Sequence, residues 1–114
     1  MNNNVFEKAR ELGASIIESE EFKEIQKREN EMIKDANAQV LLKKFHELQS
    51  LQREKTKNGG ALSPEETAEF EQLQLKLVEN STVKSFSEAQ EKFQAMMNQV
   101  MKIIRDAGAD KMKE

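Results

Sequence analysis

The chain has 114 residues, a net charge of −3, 34% charged side chains, and no Cys, Trp or Tyr. That length suits one domain, whose core must be built from aliphatic side chains with six Phe and six Met. The lack of Cys excludes disulfides, thiolate catalysis and cysteine-ligated zinc or iron–sulfur sites.

The first apolar series is Val5, Ala9, Leu12 and Ile16, with Phe6, Gly13 and Ile17 beside it. Spacings of three and four keep side chains on one helix face, so a helix is expected from about Asn4 to Glu18. Ser19 can cap a second helix, with Glu20 and Glu21 at its positive end. Phe22, Ile25, Met32 and Ile33 would form its buried side. A continuous helix kinked at Ser19 is the alternative. Asp35 is the next cap, opening a helix from Ala36 to about Lys57. Its seam is Ala38, Leu41, Phe45 and Leu48, with Leu42 and Leu51 alongside. Lys55 and Lys57 suit its negative end.

Asn58-Gly59-Gly60 is the clearest break in the chain, and the loop at 58–62 is the expected hinge between a front and a back half. Ser63-Pro64-Glu65-Glu66 is a strong helix start, with a cap, a proline at the first helical position and a capping box. Phe70, Leu73 and Leu77 form the next seam, while Leu75 and Val78 lie off it. Asn80, Ser81 or Thr82 resets the chain. From there Val83, Phe86, Phe93, Met97, Val100, Ile104 and Ala107 recur by threes and fours, interrupted only by Gln90. As one helix, residues 83–107 would span about 37 Å. Gly108 is expected to end it, with residues 109–114 fraying.

The expected fold is all-α: about five helices with a long C-terminal helix, in an elongated helical bundle forming one domain over residues 1–114. The apolar runs are three residues at most, too short to cross a membrane. Met1-Asn2-Asn3-Asn4 lacks the basic-then-apolar layout of a signal peptide, so a cytoplasmic location is expected.

The residues carry little catalytic chemistry. His46 is the only histidine. His46-Glu47-Leu48-Gln49-Ser50 begins like a zinc-protease helix, but Ser50 stands where the second His must be. Glu20 with Glu24, and Glu65 with Glu69, share helix faces. Without a Glu-x-x-His pair, they read as solvated surface and not as a di-iron site. Gly59-Gly60 lacks the longer glycine spacing and the Lys-Ser/Thr of a phosphate loop. No catalytic residue, metal ligand or cofactor is therefore expected. Lys43, Lys44, Arg53, Lys55 and Lys57 could touch RNA, but no aromatic residues interleave them and Glu47 and Glu54 lie among them. Basic and acidic side chains balance in residues 1–57, and acid slightly exceeds base beyond. Nucleic acid is thus not the favoured partner.

The last helix offers more apolar surface than four short helices would cover. Phe93, Met96, Met97 and Met101 form a soft apolar cluster that reads as ordinary core, with an adaptable subunit interface as the alternative. Gln90 on the seam could fix one pairing register. A homodimer or higher homo-oligomer is expected, with Leu75, Val78, Phe86, Phe93, Met97, Val100 and Ile104 as interface candidates.

The order of these features resembles the YlbF/YmcA/YheA group of small helical proteins from Gram-positive bacteria. The resemblance covers nearly the whole chain. It rests on Ser19-Glu20-Glu21-Phe22, on Asp35-Ala36-Asn37-Ala38-Gln39 leading to Leu41-Leu42 and Phe45, and on Leu62-Ser63-Pro64-Glu65-Glu66. It continues from Asn80 through Val83, Phe86, Ala89-Gln90 and Phe93, and from Val100 to Ile104. The resemblance implies an all-helical fold, dimers or larger assemblies, and a regulatory or adaptor role in place of catalysis. It further implies protein partners in a complex that acts on competence, biofilm formation, sporulation and mRNA processing by an endoribonuclease. Some members carry cysteines linked to iron–sulfur clusters. This chain has none, so that cofactor does not carry over. The alternatives are an RNA-binding accessory protein and a family member of unassigned role.

Overall fold

The structure, a computed structural model, describes residues 3–112. It contains five helices: α1 (Asn3–Glu18), α2 (Glu20–Lys34), α3 (Ala36–Lys57), α4 (Pro64–Glu79) and α5 (Ser81–Met112). No strand occurs among the described residues. The all-α expectation and its long last helix therefore hold.

Short-range hydrogen bonds place the breaks. Ser19 separates α1 from α2, so the chain is not one kinked helix there. Its hydroxyl donates to the Ile16 carbonyl at 2.6 Å and accepts from the Phe22 amide at 3.1 Å. Asp35 caps α3 by accepting from the Ala38 amide. Gly59, at φ +82°, takes the left-handed conformation that ends α3. The Gly60 amide donates to the Lys55 carbonyl at 2.7 Å and the Gly59 amide to that of Thr56 at 3.1 Å. This is a Schellman closure, and it satisfies carbonyls that the last helical turn would leave open. Ser63 and Glu66 form the expected capping box on α4, with Pro64 inside it. Asn80 opens α5, its side-chain oxygen accepting from the Val83 amide at 3.0 Å.

One expectation fails at the far end. Gly108 does not stop α5, which runs on through residues 109–112. A glycine inside a helix costs only about 1 kcal/mol relative to alanine. Here no proline follows it to enforce a stop. Residues 113–114, also expected to fray, lie outside the described range.

Contacts divide the chain into two compact units: residues 28–86, and residues up to 27 together with those from 87 onward. The boundaries fall inside α2 and α5.

In the 28–86 unit, α3 and α4 form an antiparallel hairpin. Leu41 and Leu48 of α3 meet Leu73 and Leu77 of α4, with Leu42, Phe45, Leu51, Phe70 and Val83 packed around them. The Phe45 and Phe70 rings lie 4.9 Å apart at 33°. Ala38 is fully buried. Ion and hydrogen bonds hold both ends of the hairpin. At the loop end, Lys55 Nζ lies 2.6 Å from Glu66 Oε1, the carboxylate that also accepts from the Ser63 amide. At the open end, Asp35 Oδ2 accepts from Thr82 Oγ1 at 2.8 Å and from Asn80 Nδ2 at 3.4 Å.

These bonds favour the charged carboxylates. Asp35 is held below the ordinary value of 3.8, chiefly by the Thr82 hydroxyl and then by the Ala38 amide. Glu66 is held below its ordinary 4.5, chiefly by its hydrogen bond from Lys55 and then by the Ser63 amide. A folded-state pKa below the unfolded one adds stability that is complete above the unfolded value. It is lost as pH falls through the folded value. Urea midpoints should therefore stay level from neutral pH down to about pH 5 and then decline. The decline should be shallower for Asp35→Asn combined with Glu66→Gln. Equal declines in wild type and double variant would show that neither carboxylate contributes.

The other unit holds α1, the first part of α2 and the later part of α5. Its packing centres on Ala89, which is 3% exposed, and on the Phe22 and Phe93 rings, 6.0 Å apart at 59°. α1 and α2 have no buried residue, and Ala89 is the only buried residue of α5. The expected buried side of α2 is only partly so. Phe22 and Ile25 in this unit are half-buried, as is Met32 in the 28–86 unit, but Ile33 of the 28–86 unit is exposed.

Candidate interaction surface

The uncovered apolar residues form the most prominent surface feature of this chain. On α1, Val5, Phe6, Leu12 and Ile17 are exposed. On the last turns of α5, Met101, Ile103, Ile104 and Met112 are exposed, with Ile103 at 68% and Ile104 at 52%. Both helices belong to the same unit. Val5 and Leu12 of the α1 series, and Ile104 and Ala107 at the end of the α5 series, thus remain in solvent in a single chain. Exposed apolar side chains recurring along a helix suit protein contacts.

The seven interface candidates do not lie on one surface. Phe93, Met97, Val100 and Ile104 follow one face of α5, in the unit that includes α1. Phe93 is half-buried against Phe22, so it stabilises the chain itself. Met97 and Val100 are half-buried and Ile104 is exposed. Leu75 and Val78, at 57% and 70% exposure, lie on the outer side of α4 in the 28–86 unit. Phe86, also in that unit, lines a different feature.

That feature is an open groove of about 1020 Å³ along α3. The α3 positions that line it run from Gln39 to Glu54, and include Leu42, His46, Ser50 and Leu51. Met32 and Ile33 of α2 and Phe86 of α5 complete its apolar lining. The sequence already held a partial signal for it, since Leu42 and Leu51 lie beside the main α3 seam. They mark a second apolar flank that α4 leaves partly uncovered.

The polar candidates stay dispersed. His46 is exposed, in edge contact with Phe45 at 6.2 Å. No group of three or more His, Asp or Glu converges as metal ligands among the described residues. Glu65 and Glu69 are both exposed on α4. Glu20 and Glu24 border a hollow of about 280 Å³ with Glu21, Ala89 and Lys92. The basic residues of α3 do not form one patch. Lys43 lines the groove, Lys44 lines a separate hollow beside Lys76, and Lys55 is held by Glu66. No helix is long and apolar enough to cross a membrane among the described residues.

Comparison with known proteins gives a consistent picture. Residues 5–107 match the family model described as control of competence regulator ComK, YlbF/YmcA. A UPF0342 protein of Alkalihalophilus pseudofirmus is 31% identical over 105 residues, covering 91% of this chain and 88% of that protein. A UPF0342 protein of Streptococcus uberis is 27% identical over 104 residues, covering 91% and 93%. Among solved structures, a chain of the crystal structure of Bacillus subtilis RicA in complex with RicF superposes with a TM-score of 0.83 at 18% identity. That match covers 96% of this chain and 97% of the matched chain. A protein of unknown function (DUF964) from Bacillus stearothermophilus gives a TM-score of 0.73, also at 18% identity, with 91% of each chain covered. At these identities the two structures establish a shared fold.

Proposed function

We propose that this chain, which belongs to the YlbF/YmcA family, is a non-catalytic helical adaptor that regulates through protein–protein interfaces. The carrying observation is the apolar surface left in solvent on α1 and the end of α5. Phe6 and Ile17 on α1, and Ile103 and Ile104 on α5, offer apolar surface that a partner chain can cover. A second copy of the chain covers them in a homodimer, and that assembly presents its remaining faces to other proteins. The family model's link to competence control, and a fold shared with a chain of the RicA–RicF complex, support a regulatory complex as the setting. Control of competence, biofilm formation or mRNA processing is the process proposed.

RNA binding by the chain itself draws no support from its surface, where Lys43 and Lys44 line different hollows and Lys55 is held in an ion pair. The test is affinity purification from the native cell, with nuclease treatment of the eluate. Protein partners should remain in near-stoichiometric amount after nuclease. Loss of every partner on nuclease treatment would reverse the reading in favour of RNA. So would salt-sensitive RNA binding by the purified chain, since phosphate contacts weaken steeply as salt rises.

A further inference from the structure

We infer that the α3 groove is a docking site for one amphipathic helix of a partner protein, a helix with an apolar seam and a basic flank. The inference rests on the adaptor reading and adds to it a specific surface and the chemistry of its occupant.

The first support is shape. The groove follows α3 from Gln39 to Glu54. At 1.5 Å per residue that is about 22 Å, or four helical turns. A small ligand is usually enclosed on most of its surface. This trough is instead open along its length, with an apolar floor that includes Leu42, Leu51, Met32 and Phe86. A helix laid beside α3 can seat residues at i, i+3, i+4 and i+7 along such a floor.

The second support is charge. The groove is lined by three carboxylates, Glu29, Glu47 and Glu54, against one ammonium, Lys43. Glu47 and Glu54 are seven residues apart, two turns along one side of α3. A partner helix with Lys or Arg at the same two-turn spacing would meet both. An acidic flank would meet repulsion at the same positions. The groove thus selects the sign of its partner as well as its amphipathicity.

The third support is separation. The lining residues fall between Glu29 and Phe86, inside the 28–86 unit. The exposed apolar faces of α1 and the end of α5 belong to the other unit. Self-association through those faces does not use the groove's own residues.

The experiment uses the full chain and two synthetic helical peptides of about 16 residues, four turns. Both carry the same Leu and Phe seam, one with Lys and the other with Glu on the flank. Binding is read by fluorescence anisotropy. The Lys-flanked peptide should bind about tenfold more tightly than the Glu-flanked one, as two rim charges allow. Glu47→Lys with Glu54→Lys should invert that preference. Ser50→Trp places bulk at an exposed position in the groove and should abolish binding of both peptides. Circular dichroism and urea midpoints verify that the variants fold. No binding of either peptide overturns the inference, as does binding that ignores both sets of substitutions. A fall in the native mass of Ser50→Trp on light scattering also overturns it, because a second copy would then occupy the groove. A chain that captures protein partners from the cell but ignores both peptides loses the groove and keeps the adaptor reading. A chain that binds the Lys-flanked peptide through the groove but captures no protein keeps the groove and loses that reading.

Discussion

Leu73→Ala should remove a large part of the chain's stability, while Leu75→Ala, two residues away, should remove almost none. Leu73 is 5% exposed and sits in the four-leucine cluster of the α3–α4 hairpin; Leu75 is 57% exposed on the opposite side of α4. Truncating a buried leucine loses its transfer free energy and leaves a cavity, about 2–5 kcal/mol in all. A domain of this size has about 5–15 kcal/mol in total. The cluster has few layers behind it to collapse into the gap, since only Leu41, Leu48 and Leu77 are its other buried members. Leu73→Ala should therefore lower the melting temperature by roughly 10 °C or more. Leu75→Ala should stay within about 0.5 kcal/mol of wild type, as exposed substitutions usually do. Urea unfolding followed by circular dichroism makes the comparison. Equal midpoints for the two variants would mean that α4 packs by a different face.

The contrast between those residues also shows how much was legible in the sequence. The caps at Asp35 and Ser63 are local. Each depends on residues within three positions, and both appear where the residue types place them. The α3 and α4 seams were equally legible, because a three-and-four spacing states which side chains share a face. What covers that face is a tertiary fact. Phe86 and Phe93 continue one apolar series on α5, yet Phe86 lines the α3 groove while Phe93 packs on Phe22. The tie from Thr82 to Asp35 joins residues 47 apart, and no local pattern encodes it. Gly108 departs from its expectation for the opposite reason. Glycine is a local breaker signal, but a single glycine is a small cost within a helix that continues on both sides.

Ile103→Glu with Ile104→Glu should convert the proposed homodimer to a folded monomer. Both side chains are exposed in the single chain, at 68% and 52%, and neither belongs to the core cluster. Their replacement should therefore leave the helical signal and the urea midpoint of the monomer intact. A two-fold interface uses each substituted residue twice, so the double substitution alters four side chains per dimer. Burying a fully exposed isoleucine stabilises by about 1.5–3 kcal/mol, and these are already partly covered. About 1 kcal/mol each leaves roughly 4 kcal/mol for the assembly, before any cost of bringing the new carboxylates together. That corresponds to about a thousand-fold weaker association. Light scattering at micromolar concentration should then report half the wild-type mass. Leu75→Glu with Val78→Glu is the matching control on α4, where exposure is as high but the α1 and α5 faces are untouched. If the α4 variant dissociates and the α5 variant does not, the contact lies on α4. A wild-type protein that is already monomeric would remove the self-association proposal and leave the apolar faces of α1 and α5 to be covered by a different protein.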